Sequence, residues 1–149
     1  MNDESPRLFE IFWDVQRGLP RQGPGSEAST LEALALCAGL PERLALLDIG
    51  CGPGMQTVAL AKALADGHLM AVDIHQEYLD ELKERAKAAR VAERIDILAG
   101  DMHALPFPPQ SFDLIWSEGA AYIMGFGKAL VAGKRFLKTN GYIAVSELV

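Results

Sequence analysis

Three acidic residues stand where three short apolar runs end. They are Asp48 in Leu46-Leu47-Asp48-Ile49, Asp73 in Ala71-Val72-Asp73, and Asp101 in Ala99-Gly100-Asp101-Met102. The first run breaks into Gly50-Cys51-Gly52-Pro53-Gly54 ahead of a helical pattern. Glycines so spaced let the chain turn sharply and let a ligand approach the main chain and the N-terminus of the following helix. Asp73 lies 19 residues beyond Gly54, the range in which a carboxylate accepts hydrogen bonds from ribose hydroxyls. Asp101 is placed to accept from an adenine amino group, with Met102 covering the ring. Ligands of open α/β sheets bind outside the carboxyl ends of the strands, so three acids at consecutive strand ends describe one nucleoside site.

Details of the glycine loop bear on which nucleoside. A dinucleotide fingerprint wants Gly or Ala where Met55 stands. Asp48, two residues before Gly50, puts a carboxylate where a pyrophosphate would sit, and like charges repel strongly in a shielded site. The loop therefore suits a ligand carrying an ammonium or sulfonium group. An NAD-dependent oxidoreductase is the rival reading, disfavoured by Asp48 and Met55. The segment after the fourth apolar run, Ser117-Glu118-Gly119-Ala120-Ala121-Tyr122, is expected to face the reacting group. Glu118 there is a candidate to orient an amine nucleophile or stabilise its charge, and Tyr122 to pack on or hydrogen-bond to a substrate. His68, His75 and His103 are isolated and no pair has metal-ligand spacing, so no metal site is expected. His75, just after Asp73-Ile74, is placed to line the adenine edge.

These residues need a scaffold of alternating strands and helices. Leu8, Phe9, Ile11, Phe12 and Val15 recur at helical spacing, predicting a helix over 6–17 before Gly18-Leu19-Pro20. Ser29-Thr30-Leu31-Glu32 reads as a capping box opening a second helix to about Ala38. From Arg43 onward, apolar runs alternate with amphipathic helices, the mark of a parallel sheet built from βαβ units. Strands are predicted at 44–49, 69–72, 95–98, 112–116 and from 142. Helices are predicted at about 55–65, along Tyr78, Leu79, Leu82, Ala86 and Ala89, and along Ala129, Leu130, Phe136 and Leu137, the last stopped by Thr139-Asn140-Gly141. The stretch from Phe12-Trp13 through Leu19 to Ser26 is where a lid is expected, with Gly23 and Gly25 as hinges and Trp13 closing over the ligand.

At these positions the sequence resembles the class I S-adenosylmethionine-dependent methyltransferases, in their type 11-like, small-molecule branch, over nearly all of residues 25–149. Leu47-Asp48-Ile49-Gly50-Cys51-Gly52-Pro53-Gly54 is similar to that family's nucleoside-binding first motif, Ala71-Val72-Asp73-Ile74 to its ribose motif, and Gly100-Asp101-Met102 with Leu105-Pro106-Phe107 to its adenine motif. Phe112-Asp113-Leu114-Ile115-Trp116 resembles its fourth strand. Leu137-Lys138-Thr139-Asn140-Gly141-Tyr142 resembles the Leu-Lys-Pro-Gly-Gly turn, departing from it at Thr139-Asn140. The resemblance implies a Rossmann-like α/β domain over 1–149, with residues 1–40 as a helical cap or lid and 41–149 as the core. It implies S-adenosylmethionine as cofactor, held by Asp48, Gly50, Cys51, Gly52, Gly54, Met55, Gln56, Asp73, Ile74, His75, Asp101, Met102 and Ser117. It implies methyl transfer by in-line displacement, which needs no nucleophilic triad, and a SAM-binding module without turnover is a further alternative. The Asp/Asn-Pro-Pro-Tyr pattern of similar enzymes that methylate nucleic-acid amino groups is absent after the fourth strand, favouring a small-molecule acceptor. The family's sheet has seven strands, so the chain is expected to be cut short after the fifth, leaving an edge that offers a route to a homodimer.

Composition agrees. The 149 residues are 50% hydrophobic and 23% charged, enough for a domain burying roughly 70% of its unfolded surface. Fourteen Lys and Arg against 20 Asp and Glu give a net charge of −6, which works against a nucleic-acid partner. The run Lys83-Glu84-Arg85-Ala86-Lys87 reads as a solvated helix face. The acidic N-terminus does not resemble a signal peptide, no stretch has the length and apolarity of a membrane helix, and Cys37 and Cys51 suit a reducing, cytoplasmic setting.

Overall fold

The computed structural model describes residues 5–147. Five strands form one parallel sheet: β1 (Ala45–Ile49), β2 (His68–Asp73), β3 (Ile95–Ala99), β4 (Phe112–Glu118) and β5 (Leu137–Ser146), in the order β3-β2-β1-β4-β5. This is a Rossmann-like α/β sheet, as the sequence predicts. The crossovers are α3 (Met55–Ala63), α4 (Gln76–Ala88) and α5 (Phe126–Phe136), while α1 (Ser5–Gln16) and α2 (Glu27–Ala35) precede the sheet.

Strand alternation sorts side chains between two layers. Leu46, Leu69, Ala71, Leu114 and Trp116 face α3 and α4, packing on Leu60, Leu79 and Leu82. Leu47, Val72 and Ile115 face the other way, against Phe136 of α5. Phe107 closes that layer, its ring edge-on to Phe112 and Phe136 at 5.2 and 6.2 Å. Each fully buried leucine contributes roughly 1.5–3 kcal/mol. On α4 the buried stripe is Tyr78, Leu79, Leu82 and Ala86, and the opposite face carries Lys83–Asp80 and Lys87–Glu84 pairs at 3.2 and 2.9 Å. The basic run is thus a solvated face.

Two helix boundaries differ from the sequence reading. Ser26, not Ser29, is the N-cap of α2: its hydroxyl accepts from the Ser29 N–H at 3.1 Å, and the Ser29 hydroxyl accepts from the Ser26 N–H at 2.8 Å. Ser26 is extended, at φ −145° and ψ 167°, which is the cap conformation; α2 therefore begins at Glu27 and ends at Ala35. The last helix ends at Phe136, before Thr139-Asn140-Gly141. Leu137 already pairs with Phe112, the register shifts across residues 138–141, and pairing resumes at Leu114 with Tyr142. Asn140 takes the left-handed conformation in that stretch, φ 64°.

Gly54 caps α3 at φ 86°, and a Cβ there would lie 2.2 Å from Leu82 Cδ1. Helix α3 can meet α4 only because this position lacks a side chain. Gly39, at φ 75°, has nothing within 4 Å of its Cβ position. Gly54→Ala is expected to cost about 2–4 kcal/mol in urea unfolding, strain and overpacking together. Gly39→Ala, with strain alone, is expected to cost about 1–2 kcal/mol. Equal losses at the two positions would show that the Leu82 contact is not what demands Gly54.

Candidate functional site

A cavity of about 280 Å³ opens at the carboxyl ends of β1, β2, β3 and β4. Gly50, Gly52, Asp73, Ile74, His75, Asp101, Met102, Glu118 and Tyr122, all singled out from the sequence, line it together. Asp48, Cys51, Gly54, Met55, Gln56 and Ser117 do not line it. Backbone donors set the loop after β1: the Gly50 and Cys51 N–H groups both donate to Val72 O, at 2.8 and 3.0 Å. Gly50 has φ 72°, and a Cβ there would stand 2.4 Å from that of Ala120. A side chain at this position would collide with Ala120, which also lines the cavity.

Asp73 accepts from the Gly52 N–H through Oδ2 and from the His75 N–H through Oδ1, each at 2.9 Å. A carboxylate has about four lone-pair sites, so capacity remains for two hydroxyls. Asp101 accepts from the His103 N–H at 2.9 Å, and the His103 ring nitrogen Nδ1 lies 2.7 Å from the same oxygen. Those bonds hold the Asp101 carboxyl below its usual range.

Asp48 is placed differently from the sequence reading. It shares the face of Leu46 on β1, so it points toward α3 and is fully buried. Its Oδ2 accepts from Thr57 Oγ1 at 2.6 Å and from Gln56 Nε2 at 3.3 Å. Its Oδ1 has no partner among the described residues. Burial pushes its pKa up to about 7, with the charges of Glu118 and Asp73 adding and the Thr57 and Gln56 bonds opposing. Gln56 also donates to Cys51 O at 2.9 Å, tying loop to helix. Burial likewise pushes the Cys51 thiol well above its usual range, with Asp48 and Asp73 adding, so this thiol is no nucleophile. Ser117 donates to Ile49 O at 3.0 Å, joining β4 to the end of β1. Arg85 Nη1 lies 3.4 Å from Met55 Sδ, linking α4 to the start of α3.

Glu118 lines the cavity, but its carboxylate is occupied. Oε1 accepts from Thr30 Oγ1 at 2.6 Å and Trp116 Nε1 at 2.9 Å, and Oε2 is paired with Arg21. The Arg21 and Glu118 side chains are only 13% and 11% exposed. This pair straps the loop before α2 across the end of β4. Gln22 extends the strap, donating to Gln16 O at 2.8 Å and accepting from the Tyr78 hydroxyl at 3.1 Å. Gly23, expected to act as a hinge, lies directly against the Gly119 backbone, with a Cβ position only 3.4 Å from Gly119 Cα. Phe12, Gln16, Gln22 and Gly23 line the cavity, and the Trp13 side chain lies outside the described residues. The sequence reading missed Arg21, Gln22 and Thr30. The one local signal was Gly23-Pro24-Gly25, which fits a tightly packed strap as well as a hinge.

A parallel sheet whose strand ends gather glycine backbone and carboxylates around one cavity defines an α/β nucleoside-binding domain. Comparison with known proteins narrows the class. Residues 46–141 match the family model described as "Methyltransferase domain". The chain is 30% identical over 145 residues to a malonyl-(acyl-carrier protein) O-methyltransferase of Dechloromonas aromatica, covering 96% of this chain and 52% of the relative. Among solved structures it superposes on geranyl diphosphate C-methyltransferase of Streptomyces coelicolor, determined with S-adenosyl-L-homocysteine, with TM-score 0.72, 19% identity and coverage of 79% of this chain and 44% of that one. It also superposes on a (4+2)-cyclase with TM-score 0.73, 22% identity and coverage of 95% and 57%. The chain belongs to the class I S-adenosylmethionine-dependent methyltransferase family. It spans about half the length of the curated relative described above.

Two predictions follow from buried charge. A carboxyl raised from 3.8 to about 7 holds its proton more tightly folded than unfolded, so its burial costs stability progressively as pH rises between those values and fully above them. Asp48→Asn is therefore expected to gain on the wild type by about 1.4 kcal/mol per pH unit across that window in urea titrations of the free protein. Parallel curves would refute the shift. Arg21→Met, which leaves Glu118 buried and unpaired, is expected to lose about 3 kcal/mol, of which only part is recovered in the Arg21→Met/Glu118→Leu double variant because the Trp116 and Thr30 donors then lack their acceptor. Additive losses in that cycle would mean the two side chains are not coupled.

Proposed function

We propose that the chain binds S-adenosylmethionine in the cavity at the strand ends and transfers its methyl group to a small molecule. The observation that carries this reading is the charge of the lining: Asp73 and Asp101 carry no lysine or arginine partner, Glu118 is neutralised from behind by Arg21, and no lysine or arginine lines the cavity among the described residues. Such a lining fits a nucleoside bearing a cationic centre and disfavours a pyrophosphate, which argues against the dinucleotide alternative. Asp73 is assigned to the ribose hydroxyls and Asp101 to the adenine amino group, with Ile74, His75 and Met102 beside the base. Gly50 and Gly52 offer bare backbone to the remainder of the cofactor. Asp48, Cys51, Gly54, Met55, Gln56 and Ser117 act from behind by fixing the loop. Glu118 is assigned to positioning rather than to contact with an amine, because its oxygens are already engaged. Tyr122 is assigned to the acceptor.

Held by Asp73, Asp101 and the Gly50 and Gly52 backbone, the cofactor would supply an activated methyl for in-line displacement by the acceptor's nucleophilic atom, with the sulfur leaving as a neutral thioether and the acceptor's proton passing to solvent. The protein's share is alignment, worth roughly 7–11 kcal/mol of the barrier. Of the segment 1–40, the described residues 5–40 serve as the cap, supported by the places of Phe12, Gln16, Gln22 and Gly23 in the lining.

No helix among the described residues is long and apolar enough to cross a membrane. The net charge of −6 supports a small-molecule partner over nucleic acid, and the free cysteines Cys37 and Cys51 support a cytoplasmic setting. Among the described residues β5 pairs on one side only, which supports the homodimer reading.

Calorimetric titration tests the assignment. S-adenosylhomocysteine is expected to bind and NAD not to. Asp73→Ala is expected to weaken the former by about 1–3 kcal/mol through loss of charge-assisted ribose bonds. Tight NAD binding, or an unchanged affinity in Asp73→Ala, would reject it.

A further inference from the structure

Two elements bring large apolar side chains to the same cavity. From α1 comes Phe12, and from the 3-10 turn after β4 come Tyr122 and Ile123. These side chains line the cavity yet remain 47%, 61% and 55% exposed at its mouth, and Phe126, at the start of α5, is 52% exposed nearby in sequence. Large apolar side chains gathered at a pocket mouth are a recognition surface more often than an accident.

The charges decide what that surface receives. An acceptor bearing a carboxylate or phosphate would meet the Asp73 and Asp101 carboxylates and a Glu118 already neutralised by Arg21, and among the described residues the lining offers it His75 and His103 but no lysine or arginine. An acceptor bearing an ammonium would find Glu118 taken by Arg21, Thr30 and Trp116. Asp73 and Asp101 are bound to the Gly52, His75 and His103 N–H groups and are assigned to the nucleoside. A buried charge without a partner is costly, so both ionic classes are penalised at the reacting position.

We infer that the methyl acceptor is a neutral, predominantly apolar small molecule whose body packs on Phe12, Tyr122 and Ile123 while its nucleophilic atom reaches the cavity. The inference rests on the methyl-transfer reading above. Continuity between the exposed patch and the cavity wall favours this occupant over a second copy of the chain, which would cover the patch without entering the cavity.

The test uses the full chain, first titrated with S-adenosylhomocysteine and then, saturated with it, with para-alkylphenols from methyl to hexyl. Affinity is expected to rise about fourfold per added methylene, the equivalent of about 0.8 kcal/mol each. Ile123→Glu is expected to flatten that series, and para-hydroxybenzoate and tyramine are expected to bind more weakly than the uncharged phenol of matching length. Failure to bind S-adenosylhomocysteine would overturn the function itself. Its binding together with a flat alkyl series, or with preferred binding of either charged probe, would overturn the acceptor class alone. So would light scattering that shows a dimer dissociated by Tyr122→Asp, which would assign the patch to a second copy.

Discussion

The site depends on how the chain leaves β1. Three successive N–H groups after that strand turn toward the end of β2: Gly50 and Cys51 donate to Val72 O, and Gly52 to the Asp73 carboxylate. The loop is thereby fixed to its neighbouring strand by ordinary backbone hydrogen bonds, with one acidic side chain completing the set. Its course places Gly54 at the start of α3 and against Leu82 of α4, so loop geometry and helix packing are one constraint. The bond to Gly52 also orients Asp73, since the carboxylate that holds the loop is the one left facing the cavity.

A second constraint joins the ends of the chain's order. Arg21 and Glu118 are 97 positions apart and meet with little solvent around either. Taking two charges out of water costs several kcal/mol per ion unless the remaining lone pairs and protons are satisfied. Here they are: Thr30 and Trp116 donate to the other carboxylate oxygen. Arg21 also reaches Thr30 Oγ1 at 3.3 Å. Such a cluster contributes location more than stability. It fixes the strap from Arg21 to Ser26 relative to the end of β4, and the Gly23–Gly119 contact lets the two backbones approach without a side chain between them.

How much of this could be read beforehand followed from the range of each interaction. Strand ends and their acids were legible because apolar runs, a glycine loop and carboxylate spacing are local, and Asp73 and Asp101 do line one cavity. The direction of Asp48 was legible in principle, since it is two residues from Leu46 and must share its face; position at a strand end alone placed it wrongly. The α2 cap was ambiguous because Ser26, Ser29 and Thr30 all lie near the boundary, and only the extended conformation of Ser26 decides between them. Glu118 was found by position, but its partners were not, because no sequence pattern announces a contact between an arginine before the second helix and a glutamate ending the fourth strand.

Fold and chemistry separate at this point. A (4+2)-cyclase superposes on this chain as well as a methyltransferase does, so the sheet and its loop do not by themselves specify the reaction. The proposed in-line displacement asks the protein for alignment and a dry approach rather than for a covalent nucleophile, and the Cys51 thiol behind the cavity is buried with a raised pKa. What remains to distinguish one acceptor from another is the shape and polarity of the mouth. In the proposed reading those properties fall to Phe12, Tyr122 and Ile123, which line the cavity; position after the fourth strand singled out Tyr122, whereas Phe12 and Ile123 join it only once α1 and the turn after β4 are brought to the same opening.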